Sequence, residues 1–258
     1  MSLVEYEVGP HVATITLADE SRRNALSEEL LGQLIEAVDE ASRDPDVRVV
    51  VLTNRGNVFC AGADLRGRAV DPAQSEPRAS MSDLFLHIRN SEKIFVGRIA
   101  GHCVAGGVGL AAVTDISIAI DTATFGFSEV RLGLVPAVIS VVCLPKMRLA
   151  DAQQAMLRGQ RFSAEEAAQI GLITYAVAGD HLDQIVDDVV TDLLAGEPSA
   201  LAATKGLMYS VPALEAGEAF RRMTELTESF FRSEQAHEGV TAFFEKRPAN
   251  WVKRPTET

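Results

Sequence analysis

Phe59-Cys60-Ala61-Gly62-Ala63-Asp64-Leu65 and Val104-Ala105-Gly106-Gly107-Val108-Gly109 are two glycine-bearing turns, each placed after an apolar, β-branched run. The runs are Val47 to Thr53 and Ile94 to Ala100, and both read as buried strands. Glycine lets a backbone turn sharply and admits a ligand close to its amides. Two such turns brought together would aim two backbone N–H groups at one oxygen. That geometry stabilises negative charge developing on a carbonyl. Further on, Phe125-Gly126-Phe127-Ser128-Glu129-Val130-Arg131-Leu132-Gly133-Leu134-Val135-Pro136 supplies one carboxylate. Its neighbours Phe125, Phe127 and Val130 favour the neutral form of Glu129 by desolvation.

Outward from these segments the pattern is strand and helix in alternation. Leu3 to Val8 and Val12 to Leu17 form a hairpin around Gly9-Pro10. Ser27 caps a helix whose apolar face is Leu30, Leu31, Leu34, Ile35 and Val38, ending before Pro45. Arg66 to Ser80, with Pro72 and Pro77, reads as a loop, and Met81, Leu84, Phe85 and Ile88 restore helical spacing. A short helix at Leu110 to Val113 follows the second glycine turn, then a strand at Ile116 to Ile120. Ser163-Ala164-Glu165-Glu166 is a capping box, with Gly171 as the left-handed stop. From His181 onward the chain reads as helix, broken at Gly196-Glu197-Pro198. The fold class is α/β.

A chain of 258 residues buries a sizeable core. The net charge of -12 opposes non-specific nucleic-acid binding, which needs a basic field. No apolar run approaches the roughly 20 residues of a membrane span. The N-terminus, Met1-Ser2-Leu3-Val4-Glu5, carries no signal-peptide pattern, and Cys60, Cys103 and Cys143 form no CxxC pair. The expectation is a soluble cytoplasmic protein with reduced thiols and no metal site.

Together with Arg22-Arg23-Asn24-Ala25-Leu26 and Phe243-Phe244-Glu245-Lys246-Arg247, the three segments resemble, in order and spacing, the enoyl-CoA hydratase/isomerase family, or crotonase superfamily. The likeness runs from Leu3 to about Trp251. It implies a spiral of ββα units over residues 1–195 and a C-terminal helical oligomerisation region over 196–258. It further implies a homotrimer or a dimer of trimers. The implied substrate is an acyl-CoA thioester, with coenzyme A as part of the substrate and no tightly bound cofactor. By motif, Ala63 and Gly106 give the oxyanion-hole N–H groups and Glu129 is the acid/base. Arg22, or Arg23 beside it, is placed to meet a CoA phosphate, and Ala25, Ala61, Asp64 and Leu65 lie in segments like those around the adenine and pantetheine. Asp64 has the alternative task of fixing its turn. Phe244 and Lys246 resemble a C-terminal contact to CoA, often made across a subunit boundary.

One departure decides the subgroup. Two-glutamate hydratases carry their second glutamate a few residues past the glycine pair, and here that position is Gly109. The chain therefore resembles single-glutamate members, and its Gly106 to Ser140 segment is most like hydratases of branched or bulky acyl-CoAs. Addition of water to a 2-enoyl-CoA is the favoured activity. The alternatives are a Δ3-Δ2 isomerase using Glu129 alone, a thioester hydrolase, and a non-catalytic acyl-CoA-binding scaffold.

Other candidates are weaker. Asp83 and His87 share a helical stripe opposite the apolar one, which points them to solvent. His102-Cys103 reads as a packed pair, and Cys60 as a nucleophile lacks a visible activating base. Gly107-Val108-Gly109-Leu110-Ala111-Ala112 fits a dinucleotide-binding pattern, but a full helix and a correctly spaced acid are missing. Apolar residues after Pro198 serve either subunit contacts or intrachain packing.

Overall fold

The computed structural model describes residues 2–65 and 80–252. The N-terminal hairpin is present: β1 (Val4–Gly9) and β2 (Val12–Leu17) pair antiparallel, from Val4 opposite Leu17 to Gly9 opposite Val12. α1 (Glu28–Arg43) begins where Ser27 Oγ accepts the Leu30 N–H at 3.2 Å. It buries Leu30, Leu31, Leu34 and Val38 along one stripe.

Three strand–strand–helix units follow. The first is β3 (Val49–Asn54), β4 (Val58–Cys60) and α2 (Met81–Asn90). Next come β5 (Ile94–Ile99), β6 (His102–Val104) and α3 (Gly106–Val113). The third is β7 (Ile116–Ile120), β8 (Thr124–Gly126) and α4 (Ala137–Cys143). The first strand of each unit joins a six-stranded sheet of order β1-β2-β3-β5-β7-β10, β10 being Tyr175–Val177 and every pairing beyond the hairpin parallel. The second strand turns aside into another sheet, β4-β6-β8-β9, where β9 is Arg161–Ser163. Repetition of that step is the spiral of ββα units.

The second sheet departs from the sequence reading. Its strands are three residues long, shorter than the runs by which strands are recognised, so Val58–Cys60 and His102–Val104 pass for turn residues. The short helix differs as well. It was expected at Leu110 to Val113, but it starts at Gly106, so the glycines form its first turn. Glycine is a poor helix former, yet all eight residues of α3 are buried and tertiary packing overrides propensity.

β3 separates two cores. Val50 and Leu52 face the main core with α1 and the second sheet, whereas Val49 and Val51 face α7 (Leu182–Ala195). Val186, Val190 and Leu194 of α7 pack there. Burial on both faces explains the uninterrupted apolar run of β3.

The region 66–79, expected as a loop, lies outside the described residues. Ser80, assigned to that loop, instead caps α2, its Oγ accepting the Asp83 N–H at 3.1 Å. After β8 come α5 (Leu149–Arg158) and α6 (Ala164–Gln169), the latter capped by Ser163 and stopped at Gly171 with φ +82°. The helical tail is α8 (Pro198–Ser210), α9 (Ala216–Phe231) and α10 (Glu234–Glu245), with breaks at 211–215 and 232–233 beyond the one expected. α9 buries none of its residues, α8 only Lys205, α10 only Ala242. Lys205 Nζ donates to Ile88 O at 2.8 Å and Lys93 O at 2.9 Å, and stands 3.0 Å from Asp115 Oδ2. Among the described residues no helix is long and apolar enough to cross a membrane.

Candidate active site

β4, β6 and β8 lie side by side and parallel, with Cys60 opposite Cys103 and Cys103 opposite Phe125. Their C-terminal ends point the same way, and each releases one motif segment: Ala61-Gly62-Ala63, Ala105-Gly106, and Phe127-Ser128-Glu129. Crevices outside strand carboxyl ends are where open α/β sheets bind ligands.

The two glycine turns touch. Gly62 has φ +86°, and a Cβ on it would meet Val104 O at 2.9 Å and Gly106 N at 3.0 Å. Ala105, at φ 50° and ψ -118°, takes a backbone conformation that costs an L-residue energy. It is held there because its N–H donates to Gly126 O at 2.9 Å and its carbonyl accepts the Val108 N–H at 2.9 Å. Those bonds fix the peptide that carries the Gly106 N–H. Among the described residues, neither the Ala63 nor the Gly106 N–H donates to the protein. Gly106 also opens α3, whose free N–H groups and dipole favour negative charge.

The early motif lies alongside. Ala61 N donates to Arg23 O at 3.1 Å, Leu26 N to Gly62 O at 2.8 Å, and Asp64 N to Leu26 O at 3.3 Å. Ala25, Ala61, Asp64 and Leu65 are thereby gathered in one place. Asn24 pins the segment: fully buried at φ 52°, it donates from Nδ2 to Val58 O at 2.7 Å and Arg55 O at 3.2 Å. Asn24 stands out in the sequence only through asparagine's tolerance of left-handed backbone. Arg22 is partly exposed, its Nε 3.7 Å from Asp19 Oδ2. Phe244 and Lys246 are exposed at the end of α10. Among the described residues, no hydrogen bond or ion pair joins those two to the turn segments.

Glu129 opens a 3-10 turn, Glu129–Leu132, directly beyond β8. Its Oε2 is buried and accepts no hydrogen bond from any described residue. Burial pushes the carboxyl above the usual carboxylate range, and its own backbone N–H only partly offsets this. Arg131 donates to Arg158 O at 3.1 Å, and among the described residues no ion pair joins it to Glu129.

The remaining candidates take structural places. Cys60 is fully buried, its Sγ accepting the Gly62 N–H at 3.4 Å, and burial pushes its thiol up to about 12. Both the burial and the raised thiol oppose a nucleophilic role for Cys60. Asp83 accepts from Ser80 Oγ, and His87 pairs with Asp39, both on the solvent side of α2. His102 Nδ1 accepts the Thr124 N–H at 3.0 Å within the second sheet. No cluster of three or more metal-ligating side chains occurs among the described residues.

Comparison with known proteins agrees with this architecture. The family described as Enoyl-CoA hydratase/isomerase matches residues 7–254. A Thermus thermophilus protein provisionally named an enoyl-CoA hydratase is 36% identical, over 95% of this chain and 99% of its own length. Enoyl-CoA hydratase EchA19 of Mycobacterium tuberculosis is 31% identical, over 95% and 94% respectively. The crystal structure of an enoyl-CoA hydratase from Mycobacterium smegmatis superposes with a TM-score of 0.90 at 29% identity, covering 98% of this chain and 100% of that one. With the spiral fold and the match to residues 7–254 in hand, the chain belongs to the enoyl-CoA hydratase/isomerase, or crotonase, family.

Proposed function

We propose that the protein is an enoyl-CoA hydratase that adds water across the C2–C3 double bond of a branched or bulky 2-enoyl-CoA. One observation carries this reading: two N–H groups that donate to no described residue, on touching turns, share a set of strand ends with a desolvated glutamate. The thioester carbonyl oxygen accepts from Ala63 N–H and Gly106 N–H. Water bonds to C3 while Glu129 takes its proton, charge collects on that oxygen as an enolate, and Glu129 returns a proton to C2. Each oxyanion donor is worth about 3 kcal/mol of barrier. A carboxyl raised by burial serves both halves of the transfer, because its two protonation states lie closer in energy at working pH.

Protons and water are the only co-reactants, so the chemistry calls for no tightly bound cofactor. In this reading coenzyme A binds against Arg22, Ala25, Ala61, Asp64 and Leu65, with Phe244 and Lys246 reaching it from a second copy. Exposure of Phe243 (77%) and Phe244 (76%), with Phe220 and Phe231 also exposed, supports assembly through the 196–258 region as a homotrimer or dimer of trimers, set on a 1–195 catalytic core.

A second reading has its own support. Gly109 brings no second carboxylate to hold water, which suits an isomerase that shuttles one proton through Glu129. Incubation with 2-enoyl-CoAs of varied length and branching, in parallel with 3-enoyl-CoAs, separates the two. Formation of 3-hydroxyacyl-CoA supports hydration. Conversion of 3-enoyl to 2-enoyl substrates with no hydrated product contradicts it.

A further inference from the structure

Position 109 has no room for a side chain. A Cβ on Gly109 would stand 2.8 Å from Ile139 Cβ and 2.9 Å from Phe85 Cζ, and would overlap Ile139 Cγ2. Neither neighbour yields easily. Ile139 is 1% exposed and, being β-branched, is stiff at χ1, while Phe85 is locked in the main core.

The fit is systematic along α3. Gly106 and Gly109, three residues apart, share one face of that helix. Met81 and Phe85, four apart on α2, cover it: Met81 Sδ lies 3.1 Å from a Cβ built on Gly106, and Phe85 lies over Gly109. Ile139 closes the same face from α4. Four residues on along α4 is Cys143, which is also fully buried, so α4 presents this stripe to the core. The Ile139 side of α4 therefore packs directly on Gly109 of α3.

We propose that Ile139 is a positioning residue that sets what position 109 can hold: with Phe85 it fills the volume of a residue-109 side chain and so excludes a second glutamate from that position. The inference rests on the hydratase reading and deepens it. The number of carboxylates becomes a property of packing between α3, α4 and α2. A second carboxylate then requires two changes, one at Gly109 and one that cuts Ile139 back.

The test uses Gly109→Ala, Ile139→Ala and their combination, then Gly109→Glu in both the native and Ile139→Ala backgrounds. Gly109→Ala is expected to lower the unfolding midpoint by several degrees, and to cost far less once Ile139 is alanine, a non-additive pair. Gly109→Glu alone should lose about 10²-fold in kcat/KM by pushing α3 and its Gly106 N–H out of place. In the Ile139→Ala background it should fold, and its pH–rate profile should gain a carboxylate ionisation that the native enzyme lacks. Additive midpoints overturn the proposal. So does a Gly109→Glu variant that is as stable as the native protein and shows the extra ionisation. A folded double variant that titrates like the native enzyme overturns it too. The midpoint cycle needs no turnover, so a native protein without hydratase activity would sink the functional reading while the packing claim is still decided.

Discussion

Gly107 lies against the backbone of Cys60 so closely that a Cβ on it would stand 2.8 Å from the Cys60 carbonyl carbon and 2.9 Å from the Cys60 Cβ. The contact joins the end of β4 to the first turn of α3, next to the Gly62 and Gly106 turns. Gly107→Ala should wedge the two apart, at an overpacking cost of about 1–3 kcal/mol. Because the Gly106 N–H moves with α3, kcat should fall more than KM changes. Thermal denaturation and steady-state kinetics check this; native values for both would show that the contact is slack.

All three thiols are held protonated by burial, Cys60 and Cys143 up to about 12 and Cys103 well above its ordinary value. Alkylation requires the thiolate and access to it. Iodoacetamide at neutral pH should leave the folded protein unlabelled and active, and label it after unfolding. Modification of folded Cys60 with loss of activity would revive the nucleophile idea.

Lys205 is the residue that buries α8, through two backbone carbonyls and Asp115. Lys205→Met would leave the Asp115 carboxylate buried without its partner. Breaking such a pair costs about 3–5 kcal/mol. Chemical denaturation should show a loss of that size, with faster hydrogen exchange across residues 198–210. A loss below about 1 kcal/mol, the scale of an exposed pair, would contradict the buried role.

Long elements were legible in the sequence and short ones were not. Ser27 with its 3–4 spaced leucines defines α1, and the apolar run of β3 survives because that strand is buried on both faces. The second sheet escaped notice, since β4, β6 and β8 are too short to show a period. The turns that carry Ala63 and Gly106 touch and the Glu129 segment leaves the neighbouring strand end, and the cause is the parallel register of those three strands. Asn24 and Ile139 were invisible as functional residues because their partners lie about 30 positions away in sequence, in Arg55 and Val58 for one and Gly109 for the other. Among the described residues, no hydrogen bond or ion pair ties Phe244 or Lys246 to the turns.

Desolvation of Glu129 has a cost in stability with a definite sign. Its folded-state pKa is raised, so the folded protein binds this proton more tightly than the unfolded chain does. Its contribution to stability is fully present below the unfolded value and is lost as pH rises through the folded value. Glu129→Gln should therefore unfold at a higher temperature than the native protein in mildly alkaline buffer. The two midpoints should converge below about pH 4, where the native carboxyl is protonated in both states. Paired thermal scans across this range check it; a variant less stable than the native protein at alkaline pH would contradict the desolvation.

The central claim is that Glu129 moves the proton while backbone N–H groups hold the enolate. The most direct measurement is the hydration rate of Glu129→Gln on the best 2-enoyl-CoA, taken with that variant's affinity for the same acyl-CoA. Proton transfer by Glu129 predicts a kcat lower by about 10²–10⁴-fold, with binding nearly unchanged. A variant that binds and hydrates at close to the native rate would contradict it.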